Sequence, residues 1–199
     1  MRERVAQDSL PLLSLLQEEP LEMQSSHLSF QEYFVARAIC SGVYRLRAGS
    51  PPPWQWSAFW ANAVKLGGEM GVAFGEGLMM TAGLDKALDL RGKLGGDRPT
   101  TVAVVTQLMR GLTSIDLSKN SLGSEEGKVL AAGLAASRSL TSVDVSNNGI
   151  TGDGAQQLAT VVLAKPELES FCGIPLKELR ADSLSELNLA GKGVGEPGA

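Results

Sequence analysis

One histidine, two cysteines and a few lysines beside glycines are the residues of this 199-residue chain whose types could support covalent, metal or phosphate chemistry. His27 stands alone, so every site needing two histidines is excluded: three-His zinc, His-x-x-x-His zinc and Cys2His2 fingers. No Cys-x-x-Cys pair occurs. Cys40 and Cys172 are too few for a disulfide framework, which makes a reducing cytoplasm the expected compartment. A phosphate-cradling loop needs G-x-x-x-x-G-K-[ST], because backbone N–H groups and the lysine must converge on the phosphates. Gly127-Lys128 comes closest, but Val129 follows and Leu122 stands where the first glycine belongs. Gly67 to Gly77 lacks G-x-G-x-x-G spacing and follows no clear strand, so no dinucleotide site is expected. His27 with a serine and an aspartate could form a triad only with a serine on a nucleophile elbow, and nothing sets one there. We read His27 as a packing or hydrogen-bonding residue and expect no catalytic residue, cofactor or metal.

The charges exclude further classes. With 22 acidic and 18 basic residues the formal net charge is −4, and hydrophobic residues make up 43%. That is a globular composition without the basic excess of a nucleic-acid groove. No apolar run approaches the length of a membrane span. Leu10 to Leu16 is short, broken by Pro11 and Ser14, and runs into Gln17-Glu18-Glu19, unlike a secretory signal. The expected partner is therefore a protein, or another domain of a parent chain, with no nucleic acid and no membrane.

Small polar side chains on a repeated frame remain. Leu112-Thr-Ser-Ile115-Asp-Leu117-Ser-Lys-Asn120-Ser-Leu122-Gly recurs 28 residues later as Leu140-Thr-Ser-Val143-Asp-Val145-Ser-Asn-Asn148-Gly-Ile150-Thr. A third copy begins at Leu184-Ser-Glu-Leu187-Asn-Leu189, and a weaker one holds Leu88-Asp-Leu90 and Leu94. The pattern L-x-x-L-x-L-x-x-N-x-L resembles leucine-rich repeats. In L-x-L the alternate residues enter the core of a short strand, so Ile115 and Leu117 point in and Asp116 out. An asparagine after the strand can satisfy backbone groups of adjacent turns. Helices should follow. One spans Ser124 to Ala136, with Ser124 as N-cap and a face of Val129, Leu130, Gly133 and Leu134. The next has Asp153 as cap, Ala155, Leu158, Ala159 and Val162 as its face, and Pro166 beyond it. A 28-residue unit with a full helix resembles the ribonuclease-inhibitor class, with strands on a concave face and helices outside.

The expected fold class is thus α/β: a short leucine-rich-repeat solenoid of parallel strands and helices, preceded by an α-helical segment. The expected domains are 1–48, α-helical; 49–83, connector and capping helices; and 84–199, solenoid, truncated at the C-terminus. The register breaks between Glu167 and Leu184, where Leu168 to Phe171 starts a strand pattern but the next start follows 16 residues later. This reads as a shortened coil or as an insertion loop over 168–180. Val194 to Ala199 aligns with Ile150 to Ala155, so the sequence stops mid-repeat and reads as part of something longer. Residues 184–199 should then be poorly covered and their strand edge prone to self-association.

Eight of the ten aromatic residues lie between Phe30 and Trp60. Leu28-Ser29-Phe30-Gln31-Glu32-Tyr33 has the chemistry of a helix start, with Ser29 as N-cap, Glu32 closing a capping box and Leu28 stapling onto Tyr33. Phe30, Tyr33, Phe34, Arg37 and Ala38 share one face. His27 to Ala36 also resembles a segment of NACHT-type, NOD-like receptor proteins, which lies after the nucleotide-binding core and before the leucine-rich repeats. Ser25 departs from the aromatic the family often has at that place. The resemblance implies a signalling ATPase with a sensor tail, of which this chain holds the end of the helical region and part of the tail. No ATP-binding residue carries over. Gly49 to Pro53 is a stiff break. Trp54, Trp56, Phe59 and Trp60 follow, with Trp56 and Trp60 expected on one helix face, sealing the first coil rather than forming an exposed anchor. Met70 to Leu84 should be a capping helix, with Met79 and Met80 filling core.

These readings predict a non-enzymatic protein-recognition module, sensor or autoinhibitory, of a signalling ATPase-type receptor. A free-standing leucine-rich-repeat scaffold or inhibitor is the alternative, and a hydrolase using His27 is the remaining rival. The expected partner-binding residues on the concave strand face are Thr113, Ser114, Asp116, Ser118, Thr141, Ser142, Asp144, Ser146, Glu186 and Asn188.

Overall fold

The computed structural model describes residues 13–17, 22–25, 28–183 and 185–186. β1 (Leu13–Gln17) and β2 (Glu22–Ser25) pair antiparallel. Three helices follow: α1 (Leu28–Cys40), α2 (Ala61–Glu69) and α3 (Val72–Ala82). A five-stranded sheet comes next, ordered β3 (Ala87–Asp89), β4 (Ser114–Asp116), β5 (Ser142–Asp144), β6 (Ser170–Phe171) and β7 (Ile174–Pro175). The first four strands are parallel and the last is antiparallel. α4 (Arg98–Leu108), α5 (Ser124–Ala136) and α6 (Gly152–Ala164) follow β3, β4 and β5, and α7 (Leu176–Arg180) follows β7.

Strand alternation builds the core of this α/β arrangement. Leu88, Ile115, Val143 and Phe171 are direct neighbours across the sheet, and the first three are buried. Leu90, Leu117 and Val145 make the next buried row, while Leu112, Leu140 and Leu168 are completely buried behind the strand starts. The predicted asparagines close the turns. Asn120 Nδ2 donates to the carbonyls of Leu90, Leu117 and Ser118, and its Oδ1 accepts from the Leu94 N–H at 3.0 Å. Asn148 Nδ2 donates to Leu117, Val145 and Ser146, and its Oδ1 accepts from the N–H groups of Asn120 and Leu122. Each amide thus joins its own turn to the preceding one.

The helix starts differ by a residue or two from expectation. α5 is capped by Gly123, whose N–H donates to the Glu126 carboxylate at 2.8 Å. Ser124, the expected cap, instead accepts the Gly154 N–H at 3.0 Å, because Gly154 brings α6 against the start of α5. α6 starts after Thr151, so Asp153 lies inside its first turn. Val129 and Ala159, expected on the buried faces, are exposed, while Gly127 and Gly154 are buried at the close contact.

The N-terminal helices meet the repeats through tryptophan. Trp56 is fully buried in an extended position between two single 3-10 turns, so it shares no helix face with Trp60. Their rings nonetheless stack at 4.2 Å. Backbone bonds from Gly95 to Trp54 O (3.2 Å) and Asp97 to Trp56 O (3.0 Å) tie this segment to the entry of α4.

α1 is a second correction. It starts at Leu28, which puts Ser29 within its first turn rather than at the cap. It also turns the aromatic face outward: Tyr33, Phe34 and Arg37 are exposed, while Ala36 and Ile39 are completely buried. The cause is close approach. Gly77 of α3 lies so near the Ile39 carbonyl that a methyl group there would run into it. The side of α1 that carries Ala36 and Ile39 therefore meets α3 where α3 has no side chain. On α3, Met79 is buried and Met80 is 59% exposed, so only the first fills core.

The shortened region resolves into a hairpin. β6 joins β5 in register, then Cys172 (φ +50°) and Gly173 (φ +71°) form a two-residue turn into β7. Arg180 folds back on the end of α6, donating to the carbonyls of Val162, Lys165, Pro166 and Leu168. The expected third repeat lies outside the described residues except for Ser185 and Glu186.

Candidate functional site

The predicted face can be built strand by strand. Ala87, Ser114, Ser142 and Ser170 are lateral neighbours, and so are Asp89, Asp116 and Asp144. β3 to β5 are three residues long and β6 is two, so the face is one row that bears hydroxyls from Ser114 to Ser170 beside one row of carboxylates. Ser114, Asp116, Ser142 and Asp144 are half-buried.

Part of this chemistry is already engaged within the fold. The Thr113 hydroxyl donates to Lys86 O at 3.1 Å, and that of Thr141 to Thr113 O at 3.2 Å. Both threonines therefore serve the ladder as well as the surface. One carboxylate oxygen of each aspartate accepts the N–H two residues on: Asp89 from Arg91, Asp116 from Ser118, Asp144 from Ser146, at 2.8–2.9 Å. For Asp116 this draws the side chain in, so it is half-buried rather than exposed as expected. Asp89 is held below the usual carboxylate range by the Arg91 N–H and by Lys93 Nζ at 3.0 Å. Exposed Lys86 and Lys119 flank the rows, so the face is mixed in charge rather than simply acidic.

Ser118 does not belong to the outward set. It is 1% exposed, and its hydroxyl finds no partner. It sits past the strand end, where the chain turns. Its carbonyl accepts from Gly92 and Asn120, which pulls it beneath the neighbouring turn. Ser146, its counterpart, is half-buried. Glu186 is exposed and not part of a strand, and Asn188 lies outside the described residues. His27 lies outside them too.

Sequence reasoning missed the loop tips. Gly92, Lys119 and Asn147 occupy equivalent positions with φ of +62°, +58° and +55°. Glycine and asparagine there are a recognisable signal, since both tolerate the left-handed region. The lysine hides it. These tips carry Lys119 and Asn147 to the rim, both exposed.

Such an arrangement can recognise by hydrogen bonding and charge. Among the described residues, no group of three His, Cys, Asp or Glu side chains is placed to hold a metal ion, and no helix is long and apolar enough to cross a membrane.

A family model for the leucine-rich repeat matches residues 136–159, from the end of α5 through β5 into α6. No curated protein matches the chain. The match supports a leucine-rich-repeat portion, and such repeats generally act as non-enzymatic protein-interaction modules.

Proposed function

We propose that the chain is a protein-recognition module whose binding face is the exposed side of β3 to β6. The observation that carries this reading is the register. Ser114 beside Ser142 and Asp116 beside Asp144 repeat the same chemistry on strands about 4.8 Å apart. A rigid array of this kind suits an extended protein surface better than a small substrate. Thr113, Thr141 and Ser146 form its edges, and Glu186 and Asn188 would extend it if the third sequence copy adds a further coil to a solenoid spanning 84–199. The resemblance of His27 to Ala36 supports a place in a signalling, ATPase-type receptor of the cytoplasm, with a sensor or autoinhibitory role. The partner is then either a separate protein or another part of the same parent.

A photo-crosslinking residue at Ser142, with a control at exposed Gln156 on α6, tests the face. We expect one defined protein adduct from position 142 alone, lost on Asp144→Arg. Equal adducts from both positions would overturn the reading. The parent is tested by coding sequence upstream of Met1, where a P-loop pattern is expected.

A further inference from the structure

The connector after α1 carries an unusual charge balance. Between Glu32 and Glu69 stand four basic residues and no acidic one, in a chain whose net charge is −4. Arg45 and Arg47 of this set are exposed. The segment also exposes large apolar side chains: Val43 and Phe59 are each 69% accessible.

These groups meet in one corner. The Tyr44 and Trp60 rings meet in a T-shaped pair at 5.8 Å, and the Phe59 and Trp60 rings do so at 5.9 Å. The charge of Arg47 acts on the Tyr44 hydroxyl, opposing the upward push of burial on its pKa. Arg45 donates to the carbonyls of Gly42 and Tyr44. Gly42 lies beside the end of the Met80 side chain, and Met80 is 59% exposed. Thr81, the next residue on α3, donates to Tyr44 O at 3.5 Å. Val43 and Met80 are thus linked to Arg45 through Gly42, and Phe59 is linked through Trp60 to the Tyr44 ring on which Arg47 acts. Exposed Glu76 lies one turn down α3 from Met80 and marks the edge of the patch.

We propose that this corner is a peripheral contact for an anionic bilayer surface. Arginine heads would pair with lipid phosphates and carboxylates while the three apolar side chains enter the acyl boundary. Single-stranded nucleic acid fits less well, because stacking needs open ring faces. Trp56 is buried and Trp60 stacks on it, so Phe59 is the one strongly exposed ring of the corner, beside an aliphatic valine and a methionine, and a single ring offers no platform for successive bases. The lack of a spanning segment turned the sequence reading away from membranes, but a peripheral contact needs only surface charge and a few apolar tips.

Co-sedimentation of the full chain with vesicles tests this. One set is phosphatidylcholine alone; the other also contains phosphatidylserine. We expect binding only to the second, weakening as salt rises. Arg47→Glu alone should lower vesicle affinity by about fivefold or more, and Arg45→Glu/Arg47→Glu by considerably more. Val43→Ser/Phe59→Ser should remove the part of the binding that survives high salt. Far-UV circular dichroism checks that each variant is folded, and Arg47→Glu leaves the Arg45 turn bonds in place. Equal binding to both vesicle types, or variants that bind as the unaltered chain does, would overturn the proposal. So would a patch that loses affinity for a single-stranded oligonucleotide while vesicle binding stays unchanged.

Discussion

Residues 30–82 pack around rings and close contacts between helices, whereas residues 87–175 pack around aliphatic rows and asparagine amides. In the first region Ile39, Trp56, Phe74 and Leu78 are fully buried, and α1 meets α3 at Gly77. In the second, the largest buried groups are Leu, Ile, Val and Met, and the turns are closed by Asn120 and Asn148. The difference is one of range. A stacked ring stabilises its own neighbourhood. An asparagine amide that bonds two successive turns makes each turn depend on the next. The first region should therefore tolerate surface change and fail at a few large side chains. The second should fail wherever a single amide is lost.

The largest expected effect is Trp56→Ala. It removes a fully buried ring at the joint between the regions and should cost about 3–5 kcal/mol in chemical denaturation. If urea unfolding then shows two transitions, the regions are separable units; a single transition would show that one cooperative core spans both. Asn120→Ala should come next, at about 3 kcal/mol, because several backbone groups lose their partner together. Amide hydrogen exchange should rise at Leu94 and around Leu90 as well as at residue 120 itself. Faster exchange confined to residues 117–122 would break the idea that turns depend on one another. Ser124→Ala is a milder probe of the same coupling, at about 1 kcal/mol, since it removes only the acceptor for the Gly154 N–H.

The smallest effect is on pH. Asp97 caps α4, and the Thr100 hydroxyl and N–H hold its carboxyl below the ordinary carboxylate range. A depressed folded-state pKa stabilises the fold above the unfolded carboxylate value and loses that contribution as pH falls through the folded value. The melting temperature of Asp97→Asn should therefore differ from the unaltered chain's at neutral pH and converge with it in acid. Parallel curves down to the acid limit would remove the cap from the account.

The repeats were legible because their bonds recur at the spacing of the sequence copies. Asn120 and Asn148 could be assigned to turn closure before any coordinates. Ser118 could not be placed, because alternation of faces holds only inside a strand and β4 ends at Asp116. The outward aromatic face of α1 was equally hidden. Its cause, Gly77, lies 38 residues beyond Ile39 and carries no periodic signal. The hairpin at 171–174 escaped notice because Cys172 occupies the place where a turn of this kind favours asparagine or aspartate.

The sheet also has a temporal consequence. Its three parallel pairings join residues 27 or 28 apart, as Ala87 with Ser114, Ser114 with Ser142 and Ser142 with Ser170. Loop-closure entropy grows only with the logarithm of loop length, so equal spacings make equal steps. No strand must wait for a partner far along the chain, and the average contact separation stays low for a parallel sheet. A polypeptide emerging from the ribosome can add β4, β5 and β6 one at a time, each as soon as its preceding helix is complete. β7 needs no such wait, because only a two-residue turn separates it from β6; among the described residues the last pairing in sequence is also the fastest to form.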